Sequence, residues 1–264
     1  MWINLKVGSK MFLVESALLT HGLRSISNDE IKQLWIGNDK NICWVDKGNI
    51  IIGNINEFLL FRNRQAELIR IDCNTLDNAI KQKLSGALTA SGTMQVCQRN
   101  GIKLAVTCGM GGIGDIKGEE LCPDLPALVN IPVSIVSTSP KDMLDVDKTI
   151  SWLKDNSVDV CSNNSDFCTG YIFNSCKVPI RNAKSNLCVK GQKQLILNPI
   201  PTNERVSDIS ILDKAIEVGK MAQKQGKYYH PAVNGEIDRL TNGYSSLIQL
   251  KSLISNVSFA KSIY

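Results

Sequence analysis

A chain of 264 residues, 43% apolar and 21% charged, lies at the upper end of what one hydrophobic core supports, so a single domain over 1–264 is expected and a disordered or fibrous chain is excluded. The net charge of +5 is modest and dispersed, without a basic stripe interleaved with aromatics, which favours a small anionic ligand over nucleic acid. No run of about 18 apolar residues marks a membrane partner, and charges interrupt the N-terminal MWINLKVGSKMFLVESALL, so no secretory leader is expected and a cytoplasmic location follows.

The first candidate group is Glu15, within the otherwise apolar stretch before SALLT and His21. A carboxyl group in such surroundings is suited to proton donation, although a helix-end or edge-strand glutamate is the plain alternative. Leu88 to Gln98 reads as a packed helix, and IKLAVTC after Gly101 as a buried strand. The loop GMGGIG that follows either presents backbone amides to a phosphate or is a tight turn, since it lacks the lysine of a nucleotide-binding loop. Glu120 and Asp124 either share a hard cation or simply face water.

Residues 131–138, IPVSIVST, have the β-branched content of an interior strand, and MLDVDKTISWLKDN has helical spacing. Between them stands Lys141, where partial desolvation would lower an amine pKa toward a nucleophilic form; a surface lysine is the commoner outcome in such a loop. Residues 160–186, rich in Asn, Ser, Asp and Cys, form the least regular stretch and read as an insertion or lid. KQLILNPIP supplies another strand, and ISILDKAIEVGKMAQKQG an amphipathic helix stopped at Gly226. Alternating strands and helices imply a three-layer α/β/α fold on a largely parallel or mixed sheet, with the loops GMGGIG, SPKD and NPIP gathered at the carboxyl ends of the strands. The nine cysteines show no CxxC pair and read as reduced, mostly buried thiols.

These segments together resemble the pseudouridine-5'-phosphate glycosidases, the family that includes the indigoidine synthase A-like proteins. VESALLTHGL is similar to that family's ESTIIxHGMP, and SGALTASGTMQVCQRNGIKLAVTCGMGG to GATTVAxTMxxAxxAGIxVFATGGIGG. PVSIVSTSPKDMLDVDKTISWL resembles PVxVVCAGxKSILDIxxTLEYL, NPIP recurs unchanged, and GKYYHP and TNGYSSL resemble GKxxTP and TGGxSL. The resemblance implies a trimeric enzyme that cleaves the C–C glycosidic bond of pseudouridine 5'-phosphate to uracil and ribose 5-phosphate, assisted by a divalent metal, typically manganese (Mn2+).

Carried over by motif, Glu15 is the general acid and Lys141 the nucleophile. Arg70 stands where the family has a phosphate-proximal lysine, Glu120 where it has a metal-binding aspartate, and Cys122, Pro123 and Asp124 where it contacts substrate. Ala90 falls on a backbone substrate contact, Thr107 keeps the loop threonine, and Gln249 replaces an asparagine. A C-glycoside has no heteroatom leaving group, so an amine that opens the ribose as an imine-type adduct and an acid over the base carbon have complementary tasks. The sequence departs from the family after GMGGIG, where the histidine and arginine of HRGAE are lost across 114–119. Glu120-Leu-Cys-Pro-Asp124 replaces DISAD, and His230 replaces a threonine. The same chemistry on another base, C-glycoside synthesis, and a non-catalytic sugar-phosphate-binding homologue are the competing readings.

Overall fold

The computed structural model describes residues 11–114, 116 and 120–264. The first half runs β1 (Phe12–Val14), α1 (Asn28–Leu34), β2 (Ile42–Asp46), β3 (Asn49–Gly53), α2 (Ile55–Arg62), β4 (Ile69–Ile71), α3 (Leu76–Lys81), β5 (Gly86–Leu88) and α4 (Ala90–Arg99). Then come β6 (Leu104–Val106), β7 (Gly109–Met110), α5 (Asp124–Asn130), β8 (Ser134–Ser137), β9 (Ser139–Pro140), α6 (Val146–Asp155) and β10 (Asp159–Ser162). The chain ends with β11 (Phe167–Cys168), β12 (Val178–Pro179), β13 (Arg181–Asn182), β14 (Gln194–Leu197), α7 (Ser210–Lys224), α8 (Tyr229–Leu240) and α9 (Tyr244–Ile263).

Ten strands form one mixed sheet in the order β13-β10-β14-β8-β6-β1-β2-β5-β4, with β3 also paired to β2. Pairing is parallel from β13 through β1 to β2 and between β5 and β4, and antiparallel where β2 meets β3 and β5. Side chains alternate between faces along a strand. Phe12, Val14, Leu104, Val106, Val136 and Ile196 therefore pack on the side of α1, α2, α7, α8 and α9. Leu13, Ala105, Ile135 and Leu195 pack on the side of α3, α4, α5 and α6. Each fully buried leucine contributes about 1.5–3 kcal/mol relative to exposure, and two such layers of apolar contact give the three-layer α/β/α fold anticipated from sequence.

The helix expected from Leu88 begins two residues later. Leu88 is still strand, paired with Ile71, and Thr89 is the N-cap whose hydroxyl accepts from the Gly92 amide. Gly86 lets β5 press against β4, where a Cβ would stand 2.4 Å from the Ile69 carbonyl oxygen. Small residues that look helical in sequence are here required by strand proximity. Helix α7 stops as expected: Gln225 is its C-cap and Gly226 follows with φ +73°. The 160–186 stretch supplies β10 and β13 to the main sheet and a two-stranded ladder, β11 with β12. It also sends Tyr171, Ile172 and Phe173 into the core. No helix among the described residues is long and apolar enough to cross a membrane.

Candidate active site

The site lies where the carboxyl ends of β1, β6 and β8 meet the short ladder of β7 with β9. Glu15 directly follows β1, and its amide donates to the Val106 carbonyl at 2.9 Å, which fixes it against the end of β6. Its side chain is 6% exposed, and Oε1 accepts from the Cys108 amide at 3.4 Å. Burial pushes the Glu15 carboxyl above its ordinary range, against the lowering influences of Thr107, Lys141 and the Cys108 amide, while the nearby Asp124 adds to the rise. The Thr107 hydroxyl faces that carboxyl but makes no hydrogen bond of full geometry, leaving a fully buried Oγ1 without a partner.

Lys141 follows β9, with its amide donating to the Met110 carbonyl at 3.2 Å, so the β7–β9 ladder sets its backbone. Burial of the amine lowers its pKa most, the Arg70 guanidinium lowers it further, and Glu15, Cys122 and Asp124 oppose the shift. The carboxyl is thus pushed toward its protonated form and the amine toward its neutral form. Those are the states required of an acid and a nucleophile.

Asp124 begins α5 with a buried side chain whose Oδ1 accepts from the Ser91 amide at 3.0 Å and Oδ2 from the Gly111 amide at 2.8 Å. It ties the start of α4, where Ala90 is buried, to the glycine loop. Gly111 is needed for this approach, since a Cβ there would lie 2.0 Å from the Cys122 sulfur. The amide of Ile113 donates to Thr149 Oγ1, so part of the loop's donor set is already engaged within the protein. Cys122 is half-buried, its amide donating to the Gly112 carbonyl at 3.1 Å, and Pro123 is the N-cap of α5.

At the rim, Arg70 is exposed on β4 and its charge is felt at Lys141, Cys122 and His21. His21, in one turn of π-helix (Leu18–Gly22), has its pKa lowered by burial and by Arg70, and its Nε2 has no partner. His230, early in α8, lies 3.2 Å through Nδ1 from the sulfur of Met143, two residues beyond Lys141. Gln249, on α9, is buried; it accepts from the Tyr171 hydroxyl at 3.2 Å and donates to the Ser245 carbonyl at 3.1 Å.

Glu120 is exposed. Among the described residues no group of three or more His, Cys, Asp or Glu side chains is placed to hold a metal ion. Asp124, the nearest acid in sequence among the described residues, directs both oxygens to backbone amides. No step below runs through a cation. Asp115 and residues 117–119, part of the stretch aligned with HRGAE, lie outside the described residues.

Sequence reasoning missed two residues that join these loops. Asp142, beside Lys141, accepts from the amides of Tyr171, Ile172 and Phe173 and from the Ser175 hydroxyl, at 2.6–3.1 Å. Tyr171 donates to the Cys108 sulfur or to Gln249. The adjacency of Asp142 to Lys141 was the one available signal; Tyr171 sits in a stretch without periodicity. All nine thiols are free, and only Cys188 is exposed.

The model of the family described as indigoidine synthase A like protein matches residues 5–264. A pseudouridine-5'-phosphate glycosidase of Caldanaerobacter subterraneus subsp. tengcongensis is 30% identical over 81% of this chain and 73% of its own. The enzyme of that name from Fervidobacterium nodosum is 28% identical over 97% and 93%. Among solved structures, a prealnumycin C-glycosynthase in complex with ribulose 5-phosphate superposes with a TM-score of 0.76 at 22% identity, over 96% of this chain and 90% of that one. An indigoidine synthase A-like protein from Thermotoga maritima gives 0.73 at 20% identity, over 96% and 92%. With the family model matching nearly end to end, and relatives of one name aligned across the same span, this chain belongs to the indigoidine synthase A-like family.

Proposed function

We propose that the protein cleaves the C-glycosidic bond of pseudouridine 5'-phosphate, yielding uracil and ribose 5-phosphate. The observation that carries this reading is the shared pocket of Glu15 and Lys141, each within the other's field and each pushed by burial toward its uncharged form. The neutral Lys141 amine attacks the anomeric carbon and displaces the ring oxygen, which takes up the proton that the nitrogen sheds, giving an open-chain secondary-amine adduct. Glu15 protonates the base carbon that bears the sugar. The C–C bond then breaks, its electron pair passing to the base while the nitrogen lone pair forms the iminium. Water hydrolyses the iminium, releasing ribose 5-phosphate and the free amine. Arg70 and the unpartnered Thr107 hydroxyl supply donors for the sugar phosphate.

The names of the relatives in Caldanaerobacter and Fervidobacterium support this substrate. Run in reverse, the same steps join a base to a sugar phosphate, the direction favoured by the name of the C-glycosynthase neighbour. Release of uracil from pseudouridine 5'-phosphate by the parent, and its loss in Glu15→Gln and Lys141→Ala, tests the reading. No release by the parent, or full release by either variant, overturns it. Repeating the assay under strong chelation tests the manganese expectation separately.

A further inference from the structure

The Lys141 loop and the Glu15 loop come from different strands, and Tyr171 bridges the first to Cys108, whose amide holds the Glu15 carboxyl. The Tyr171 backbone is held to the residue after Lys141, its amide donating to Asp142 Oδ1 at 2.7 Å. Its ring lies against the glycine loop, where a Cβ on Gly109 would meet it at 2.7 Å. Its hydroxyl reaches the Cys108 sulfur at 2.9 Å and Gln249 Oε1 at 3.2 Å, and the Cys108 amide is the one that donates to Glu15. Tyr171 is 3% exposed, so its hydroxyl has no water to exchange for these acceptors.

We infer that Tyr171 is a positioning residue that sets the separation of the Lys141 amine from the Glu15 carboxyl. This rests on the reading of that pair as nucleophile and acid. A tyrosine suits the task because its rigid ring transmits position from the Asp142 clamp to the hydroxyl, adding a side-chain brace to the backbone ladder of β7 with β9 that already joins the Cys108 segment to the Lys141 segment. Small misplacements of such a pair are costly, since about 1 Å of error lowers a rate by about 10²-fold.

The test reads the field at Lys141 directly. The full chain is incubated with ribose 5-phosphate and cyanoborohydride across a pH series; the open-chain aldehyde condenses with the amine, losing water, and hydride reduces the imine to a stable secondary amine. Peptide mapping locates the adduct, and the pH midpoint of trapping follows the amine. Lys141 faces Glu15, Arg70, Cys122 and Asp124, and of these Glu15 opposes its shift most. Glu15→Gln should move the midpoint to lower pH. Tyr171→Phe, which keeps the ring, should move it the same way and by less than Glu15→Gln does. Cys108→Ala removes the sulfur acceptor and should follow Tyr171→Phe, giving a second reading if that variant folds poorly, while Cys108→Ser keeps an acceptor and should track the parent. Tyr171→Phe and Cys108→Ala both coinciding with the parent, while Glu15→Gln shifts, overturns the role of Tyr171 alone. Absence of the adduct at Lys141 in the parent overturns the nucleophile reading and the inference with it. An unshifted Glu15→Gln means that the carboxyl stays protonated over the trapping range, and Tyr171 is then read from uracil release, which Tyr171→Phe should lower at unchanged KM; parental release overturns its role.

Discussion

Glu15 and Thr107 on the floor of the site are 6% and 0% exposed, whereas Arg70 at its rim and Glu120 are exposed. On the floor each polar group is surrounded by apolar side chains and a few fixed donors, so its protonation state is decided by the protein. At the rim, water screens the same charges and substitution is cheap. The contrast accounts for where this sequence departs from the family pattern it resembles: Glu15 and Lys141 are kept, while at exposed positions Arg70 and Glu120 stand in place of lysine and aspartate. Cys108 and Gln249 are buried replacements, and both side chains meet the Tyr171 hydroxyl.

The hardest way to break this contrast is at the floor. Lys141→Ala should lower uracil release from pseudouridine 5'-phosphate by about 10⁴-fold or more, and Glu15→Gln by roughly 10²–10⁴-fold. Steady-state assays of folded variants check both, and a loss under tenfold in either would erase the distinction between floor and rim. Next comes Asp124, whose removal as Asp124→Ala strands the Ser91 and Gly111 amides. Two buried N–H groups left without acceptors cost about 2–4 kcal/mol, to be read as a fall in the urea midpoint at unchanged slope. A change below about 1 kcal/mol would mean that those amides find other acceptors.

The rim should respond more mildly and in binding only. Arg70→Ala is expected to weaken ribose 5-phosphate binding by about 2 kcal/mol in calorimetry, the scale of a charge-assisted hydrogen bond, while leaving the unfolding midpoint in place. If the variant binds as tightly as the parent, the phosphate is held elsewhere. Substitutions at His230 should alter which base is released without changing ribose 5-phosphate affinity, because its ring lies over the Met143 side of the Lys141 loop.

Much of the fold was legible in sequence because period-two burial and short apolar runs reflect the two faces of one sheet directly. IKLAVTC and residues 131–138 contain β6 and β8. The β5 strand was not legible: Gly86-Ala87-Leu88 has no alternation, and its strand state comes from neighbours distant in the chain. The same division holds in the site. Glu15 and Lys141 carry a local signal, a charged residue beside an apolar run. Asp142 and Tyr171 act through hydrogen bonds across about thirty residues, which no spacing rule encodes. Glu120 had a local signal as a possible cation ligand; among the described residues it belongs to no group of three or more His, Cys, Asp or Glu side chains placed to hold a metal ion.

The smallest predicted effect concerns stability, and it turns the floor's own chemistry into a cost. Burial raises the Glu15 pKa in the folded chain, while in the unfolded chain it returns to about 4.3. Between those two values the folded state holds more protons than the unfolded state, so stability falls as pH rises through that window and stays lowered above it. Below the unfolded pKa both states are protonated and the cost vanishes. Glu15→Gln carries no titrating proton, so it should be more stable than the parent at pH 8, a gain that shrinks to nothing near pH 4. Loss of the carboxylate opposite Lys141 works against the gain, but only to the extent that the amine is charged, and burial with Arg70 nearby already disfavours that charge. Urea unfolding of the two proteins at pH 4, 6 and 8 reads the difference. A glutamine variant less stable than the parent at pH 8 would mean that the ionised Glu15 is a net stabilising partner of a charged Lys141, and the pocket would then be an ion pair rather than a poised acid and amine.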